Sequence, residues 1–233
     1  MIHQFIFAYP KPGMSEKDFQ DYWKNVHAIK YASKIPQIKR YMIDSRIPLK
    51  NETGDPLWSG VAEIWLENEE KQLASLQSKE FLEGARLDEP TWAAFWRSVA
   101  LDTTTHFIME GEPFQKDSSQ VKLFILAKRK EGLPLKTFRE KLLASHSQQV
   151  LRIPGLQRYA QCHVRDGFYA IGEALLDCIS LLWFENVDAL EKALESPEYK
   201  NRVLPEYEYL FESKYVHTLV TDETWIIGPE FRP

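Results

Sequence analysis

The chain has 233 residues, of which 44% are hydrophobic, so it is too apolar to be disordered and can form one large domain or two of ordinary size. Its net charge of −5 argues against nucleic-acid binding, because no basic excess is available to neutralise phosphates. The N-terminal apolar run stops at Pro10, which is too short for a signal peptide, and no segment approaches the ~18 apolar residues of a membrane span. We therefore expect a cytoplasmic protein with no nucleic-acid and no membrane partner.

The N-terminal part of the chain predicts a strand followed by an amphipathic helix. The segment HQFIFAY is a short apolar and aromatic run, which is typical of a strand. Ser15, with Asp18 three positions later, is a candidate helix N-cap. The residues that follow recur at spacings of three and four and so form one helix face: Phe19, Tyr22, Trp23, Val26, His27, Lys30 and Tyr31. Pro36 then ends the helix.

The next segments complete a unit of four strands and two helices. KRYMIDSR predicts a second strand and VAEIWLE a third. EEKQLASLQSKEFLEGARL predicts a single second helix, which TWAAFWRSV can extend by a turn or two, and DTTTHFIM predicts the fourth strand. This order is that of a ferredoxin-like unit, with a mostly antiparallel sheet and both helices on one face.

The chain repeats this unit. KIPQIKRY (34–41) is matched by RIPGLQRY (152–159) at an offset of 152 − 34 = 118 positions, and EIWLEN (63–68) is matched by LLWFEN (181–186) at the same offset. The copies span residues 1–112 and 119–233 and are joined by a polar linker at 113–118. Because each unit leaves one sheet face bare, we expect the α+β class, with two ferredoxin-like βαββαβ repeats packed sheet to sheet as an intrachain α+β barrel.

Motifs in both copies resemble a known family. YWKNVHAIKYASKIPQIKRY in the first copy and RIPGLQRYAQCHV in the second are similar to the EthD family of the dimeric α+β barrel superfamily. The resemblance implies a tandem protein with one EthD-like repeat in each copy. It also implies the activities of that superfamily, which include cofactor-independent cyclases, decarboxylases, isomerases and oxygenases, often acting on aromatic or polyketide-like molecules in a pocket between sheet and helices. Fold analogy does not settle which of these reactions applies.

The two copies divide the family pattern between them. The first copy keeps the helix signature: Phe19, Tyr22, Trp23 and His27. Its second strand has Ser45 where the family usually has His. The second copy keeps the strand signature: Pro154, Gly155, Leu156, Arg158, Tyr159 and His163. Its helix has Lys141 and Leu142 where Tyr and Trp are usual, so we expect two unlike pockets, of which one or both are active.

His27 and His146 are the first candidate catalytic pair. Each lies on the apolar face of the first helix of its copy, four residues after Trp23 or Leu142, and Trp23 is a candidate for substrate binding. A neutral imidazole at this position can act as a general base or acid, since its ordinary pKa of ~6.5 is near working pH. The alternative is a core histidine that bonds a backbone carbonyl and orders the helix end.

A polar row on the second strand of the second copy gives the next candidates. Tyr159, Gln161 and His163 alternate along the strand and therefore face the same way. His163 is a candidate catalytic residue, and Tyr159 and Gln161 are candidates for binding a phenol or carbonyl oxygen. In the first copy the same row is Tyr41, Ile43 and Ser45, which keeps only the tyrosine and a hydroxyl, and Tyr41 is a further candidate for substrate binding. The alternative is a partly solvated face at a barrel end.

Glu63, on the third strand, is a further candidate for substrate binding, because burial would raise its pKa and make it an acid or base. The alternative is an outward-facing charge. None of the six histidines forms HxxxH, HxH or HExxH, and the two cysteines form no CxxC, so we expect no metal site. No glycine-rich nucleotide loop is present, so we expect no cofactor.

These candidates indicate a cofactor-independent lyase or cyclase. It would carry out decarboxylation, dehydration or aldol-type cyclisation on an aromatic or polyketide-like small molecule, with a histidine moving the proton. The alternatives are a cofactor-free oxygenase of phenols, a haem protein of the chlorite dismutase kind, and a non-catalytic binding or accessory protein of a degradation pathway. A homodimer is possible but is not required, since the repeat closes a barrel within one chain.

Overall fold

The computed structural model describes residues 1–50 and 52–233, and this part of the chain divides into two compact units. Unit 1 contains residues 1–102, 114–118 and 221–233. Unit 2 contains residues 103–113 and 119–220. Each unit is therefore completed by a short segment from the far end of the other repeat, namely 221–233 in unit 1 and 103–113 in unit 2.

The elements follow the predicted order in both repeats. The strands are β1 (Ile2–Ala8), β2 (Ile38–Arg46), β3 (Gly60–Leu66), β4 (Val99–Met109), β5 (Val121–Arg129), β6 (Arg158–Val164), β7 (Cys178–Phe184) and β8 (Phe211–Ile227). Helix α1 comprises Glu16–Tyr22, a π-helical turn Trp23–His27 and Ala28–Lys30. Helix α2 is Glu69–Leu76, and α3 comprises a π-helical segment Glu80–Ala85 and Arg86–Asp88. In the second repeat α4 comprises Leu135–Lys141, a π-helical turn Leu142–His146 and Ser147–Val150, α5 is Val187–Glu195, and α6 comprises Tyr199–Val203 and Leu204–Leu210.

Unit 1 contains an antiparallel sheet in the order β1-β3-β2-β8. Strand β3 lies in the middle of its own repeat, with Phe5 of β1 on one side of Glu63 and Met42 of β2 on the other. The fourth position is filled by the last part of β8, where Thr224 pairs with Ile43. The C-terminal strand of the chain therefore completes the sheet of the first repeat.

Unit 2 contains the matching sheet in the order β5-β7-β6-β4. Phe124 of β5 pairs with Leu181 of β7, and Leu181 pairs with Ala160 of β6. The fourth position is filled by the C-terminal part of β4, which comes from the first repeat and pairs His106 with Gln161. The α+β class and the two ferredoxin-like repeats are confirmed. The repeat bounds 1–112 and 119–233 describe sequence similarity and stay a prediction. The compact units have different bounds, because each includes the last strand segment of the other repeat.

The second helix of the first repeat is interrupted, although the sequence predicted a single helix. Helix α2 ends at Leu76 and α3 begins at Glu80. Ser78 lies in the break, where its hydroxyl donates to the Ser75 carbonyl at 2.7 Å and accepts from the Phe81 amide at 3.2 Å. A serine side chain that bonds the nearby backbone ends one helix and caps the next.

The segment TWAAFWRSV does not extend the helix. It begins at the last residue of the 3₁₀ turn Glu89–Thr91, contains the turn Phe95–Arg97 and runs beside the end of β1, where Pro10 and Ala93 form a bridge. The Ala94 amide donates to the Tyr9 carbonyl at 2.9 Å. Pairing with the residues that directly follow β1 therefore satisfies backbone groups that a helix would have bonded internally.

In unit 1, one face of the sheet packs against helix α1. Phe19 and Trp23 of the helix form a single buried core with Tyr41, Ile43 and Ala62 of the strands. In unit 2, Phe138 and Leu142 of α4 pack with Ala127, Cys178 and Phe211. The candidate histidines are thereby placed at the boundary between helix and sheet in each unit. No helix in the described ranges is long and apolar enough to cross a membrane.

Replacing Gly60 by alanine is expected to destabilise the protein by about 1–3 kcal/mol. The added Cβ would lie 2.8 Å from the Asp44 carbonyl oxygen and 3.1 Å from Cζ3 of Trp23. The matched control Gly84→Ala would meet Cδ1 of Tyr31 at 3.6 Å, an ordinary contact, and is expected to be neutral or to stabilise by up to about 1 kcal/mol. Urea denaturation measures both variants, and equal free energies of unfolding would contradict the close packing of β3 on α1.

Candidate functional site

The two candidate histidines end equivalent π-helical turns. The turn Trp23–His27 is closed by the Ala28 amide, which donates to the Trp23 carbonyl, and the turn Leu142–His146 is closed in the same way by Ser147 and Leu142. Single π turns within α-helices are rare and are frequent at functional sites. The wider turn recurs in both repeats, so it belongs to the fold and places a histidine at the same point each time.

His27 is held by a carboxylate in unit 1. Its Nδ1 lies 2.8 Å from Oδ2 of Asp88, and both side chains are buried. Asp88 also accepts a hydrogen bond from the Tyr22 hydroxyl at 2.8 Å. The indole Nε1 of Trp92 lies 3.2 Å from the same Nδ1. The indole N–H can only donate, so Nδ1 of a neutral imidazole either accepts from Trp92 or donates to Asp88. Donation to the carboxylate leaves Nε2 without a proton, and Nε2 makes no hydrogen bond to the described residues.

The surroundings of His27 favour its neutral form. Burial lowers the pKa of His27, and the hydrogen bond and negative charge of Asp88 oppose that shift only in part. The imidazole ring lies 4.7 Å from the Trp92 ring, and Trp92 in turn lies 4.9 Å from Trp23. A neutral imidazole with its Nδ1 proton fixed by a carboxylate can accept a proton at Nε2.

His146 has an equivalent partner in unit 2. Its Nδ1 lies 2.6 Å from Oε2 of Glu206, and Tyr209 donates to the other oxygen of Glu206 at 3.0 Å. Burial acts to raise the pKa of Glu206, but the interactions with His146, Tyr209 and Lys141 together outweigh it and the pKa is lowered. Each histidine thus forms a dyad with an acid. The alternative, a core histidine that bonds a backbone carbonyl, does not describe Nδ1 of either residue.

The sequence patterns predicted neither carboxylate. Asp88 and Glu206 are 206 − 88 = 118 positions apart, the same offset that relates the repeated octapeptides. An acid that recurs at the repeat offset was therefore the signal that could have found them.

The row on β6 forms a buried hydrogen-bonded chain. The amide nitrogen of Gln161 donates to the Tyr159 hydroxyl and to the Leu142 carbonyl, each at 2.7 Å, and its oxygen lies 3.1 Å from Nε2 of His163. Tyr159 and Gln161 are 0% exposed and His163 is 4% exposed, so the alternative of a partly solvated face is wrong. Burial raises the pKa of Tyr159 above its ordinary value.

His163 is strongly disfavoured as a cation. Burial, followed by the nearby charges of His106 and Arg139, lowers its pKa to about 3. The His106 ring lies 4.8 Å from the His163 ring. His163 is therefore neutral at physiological pH, where it can donate or accept a hydrogen bond but carries no charge.

Tyr41 and Trp23 belong to the His27 cluster. Tyr41 is buried, which raises its pKa, and the hydrogen bond from Trp23 opposes that shift. Trp23 in turn contacts Trp92 and Phe19, at ring distances of 4.9 and 5.3 Å. The structure thus brings Trp23, His27 and Tyr41 together in unit 1, and His146, Tyr159, Gln161 and His163 together in unit 2.

Glu63 lies apart from both clusters. Its neighbours on β3, Ala62 and Ile64, face the helix, so Glu63 points to the other side of the sheet. It is 1% exposed and its Oε2 lies 2.7 Å from Nε2 of His3, so the alternative of an outward-facing charge is wrong. His3 stacks on Trp65 at 4.1 Å.

Among the described residues, no group of three or more His, Cys, Asp or Glu side chains is arranged to hold a metal ion. Both cysteines, Cys162 and Cys178, are buried and free of disulfides.

The fold and the paired dyads define a tandem ferredoxin-like α+β protein with a histidine–acid pair in each repeat. The EthD domain matches residues 11–95 and 130–213, and the chain therefore belongs to the EthD domain family. No curated protein matches the chain.

Solved structures with the same fold are distant in sequence. An anthrone oxidase-like protein is 11% identical, with a TM-score of 0.64, over 97% of this chain and 92% of its own. A candidate monooxygenase of Fusobacterium nucleatum subsp. nucleatum is 7% identical, with a TM-score of 0.60, over 100% and 97%. A mutant chlorite dismutase of Candidatus Nitrospira defluvii is 10% identical, with a TM-score of 0.52, over 95% and 90%. At these identities the likeness shows the fold alone.

Replacing His163 by glutamine is expected to reduce the acid sensitivity of the protein. The folded pKa of about 3 lies below the ordinary value of 6.5, so the unfolded chain binds the proton first and stability is lost as pH falls from about 6.5 towards 3. At about pH 4 this loss amounts to about 3 kcal/mol, and His163→Gln should remove most of it. Urea denaturation at about pH 7 and pH 4 measures the difference, and an unchanged acid loss would contradict the buried neutral imidazole. His106→Gln is the comparison variant and is expected to reduce the loss by less, because His106 is only partly buried.

Proposed function

We propose that the protein is a cofactor-independent enzyme of the lyase or cyclase kind that acts on an aromatic or polyketide-like small molecule, with His27 as its proton-transfer group. The observation that carries the proposal is the bond between Nδ1 of His27 and Asp88 at 2.8 Å, within a cluster of aromatic rings. Asp88 fixes the tautomer, and the lowered pKa keeps Nε2 available as a base near neutral pH.

The proposed chemical step begins with proton transfer to Nε2 of His27. A C–H bond next to a carbonyl breaks, its electron pair moves onto the oxygen as an enolate, and the proton makes His27 an imidazolium. Asp88, 2.8 Å away, stabilises that cation. In a decarboxylation the order is different: the C–C bond to the carboxylate breaks, CO₂ leaves, and the electron pair stays on the ring carbon. Nε2 of His27 takes up a proton from water and delivers it to that carbon. Dehydration and aldol-type cyclisation use the same transfer.

The unit 1 dyad is favoured over the unit 2 dyad for this role. His27 has Trp92 and Tyr31 as ring neighbours, which suits an aromatic substrate. His146 lies against Tyr207 and Phe211, and the nearby Tyr159–Gln161–His163 row is joined by internal hydrogen bonds. To hold a phenolic or carbonyl oxygen, this row of unit 2 would first have to give up one of its internal hydrogen bonds to the substrate.

A cofactor-free oxygenase is the second candidate, and the name of the anthrone oxidase-like neighbour favours it. The first step is the same deprotonation. The resulting enolate then transfers electrons to O₂, and with anthrone the products are anthraquinone and water. The same dyad would serve both reactions, so the fate of the carbanion distinguishes them.

Variants of the dyad are expected to lose activity unequally. With anthrone in deuterated buffer under argon, the protein should accelerate deuterium exchange at the acidic methylene, as followed by NMR. His27→Ala and Asp88→Asn are each expected to reduce the exchange rate by roughly 10²-fold or more, because the base or its tautomer is lost. His146→Ala serves as the matched control and should retain most of the rate. A double variant His27→Ala/His146→Ala that still exchanges like the wild type would exclude this mechanism.

Oxygen uptake separates the two candidates. In air, the oxygenase predicts one O₂ consumed for each anthrone lost, above the rate without protein, measured with an oxygen electrode. The lyase predicts no enzymatic uptake, together with CO₂ release from a hydroxybenzoic acid such as 2,4-dihydroxybenzoate. Wild-type protein that binds either compound tightly without any turnover would instead support an accessory binding protein.

A further inference from the structure

A surface pocket of unit 1 lies beside the His27 dyad but is not part of it. Its volume is about 480 Å³, within the range of small-molecule sites. It is formed by the segment 86–96 and by Lys11 and Pro12, which follow strand β1. Neither His27 nor Asp88 lines it.

The walls of the pocket are apolar and unusually exposed. Leu87 is 68% exposed and Trp96 is 74% exposed, and Pro90 and Phe95 lie beside them. Large apolar side chains that remain in water around a concave surface mark a binding site. An indole and a phenyl ring together favour a planar aromatic ligand.

The charges at the pocket leave one cation unpaired. Arg86 and Glu89 form an ion pair at 2.6 Å and neutralise each other. The Lys11 ammonium makes no ion pair within the part of the chain that the structure describes. The pocket therefore carries a net charge of +1 and attracts a single negative charge.

The pocket is preformed by backbone hydrogen bonds between the segment that follows β1 and the pocket wall. The Lys11 amide donates to the Trp92 carbonyl at 3.0 Å, as the Lys130 amide does to the Leu210 carbonyl at 2.8 Å in unit 2, and the Ala94 amide donates to the Tyr9 carbonyl at 2.9 Å. At the repeat offset, Ala93 corresponds to Phe211 (211 − 93 = 118), where strand β8 already begins. Unit 2 thus has a regular strand where unit 1 has the pocket wall.

We propose that this pocket is a binding site for a planar aromatic monocarboxylate. The rings of Phe95 and Trp96 contact the aromatic part of the ligand, and Lys11 pairs with the carboxylate. The site is separate from the dyad and does not depend on any reaction at His27.

Binding of 1-hydroxy-2-naphthoate to the full-length protein, followed by its fluorescence anisotropy, tests the proposal. We expect Trp96→Ala and Lys11→Met each to raise the dissociation constant by roughly tenfold. Both side chains lie at the surface, and circular dichroism verifies that the variants fold. The neutral comparator 1-naphthol should bind the wild type more weakly and should be indifferent to Lys11→Met.

Two control variants define the outcomes. Ile171→Ala removes a fully exposed apolar side chain of unit 2 and should leave binding unchanged. His27→Gln, whose side-chain amide can still donate to Asp88, should also bind normally, so that a failure of the proposed catalysis would leave this result intact. The proposal is overturned if the wild type fails to bind at about 1 mM ligand, if Trp96→Ala and Lys11→Met bind like the wild type, or if only His27→Gln loses binding.

Discussion

The hydrogen bond between a helix-borne imidazole and a distant carboxylate organises each repeat. His27 and Asp88 are 61 positions apart, and His146 and Glu206 are 60 positions apart, yet each pair meets in a buried environment. A buried carboxylate without a partner would cost several kcal/mol, so the two helical segments that carry the pair must stay in register. The same constraint fixes the imidazole tautomer and leaves Nε2 for chemistry. The same histidine–carboxylate hydrogen bond therefore both stabilises the packing of the two helical segments and orients the imidazole.

The two dyads have diverged in their surroundings. Around His27 the ring neighbours are Tyr31 and Trp92, and Trp92 comes from the irregular segment that also forms the pocket wall. Around His146 the neighbours are tyrosine and phenylalanine, and a glutamine on β6 ties Tyr159 and His163 into an internal chain. The polar chain of unit 2 uses its hydrogen-bonding groups on one another, whereas the rings around His27 are largely apolar. The two repeats therefore differ in what surrounds the histidine: mainly aromatic rings in unit 1, and aromatic rings next to a hydrogen-bonded polar chain in unit 2.

Sequence patterns predicted much of the site, because short-range periodicity decides which side chains share a face. The 3.6-residue period placed Trp23 and His27 on the buried side of the helix, and alternation placed Tyr159, Gln161 and His163 in one row. The partners of these residues were not predicted. Asp88 and Glu206 lie in helical segments whose own periodicity carries no information about a histidine 60 or 61 positions earlier. The break at Ser78 was missed because one hydroxyl that bonds the backbone outweighs a favourable helical pattern.

The sequence by itself determined the order of elements, the twofold repeat and the family, since each is written in local patterns that recur at a fixed offset. Only the tertiary structure decided where the last strand of each repeat pairs. Strand β4 pairs with β6 and strand β8 pairs with β2, because an edge strand finds backbone hydrogen bonds wherever an unpaired edge is available, and its sequence does not specify which. Tertiary structure also decided the charge states of the site. Burial sets the direction of the pKa shifts of His27 and His163, and burial is a property of the folded chain alone.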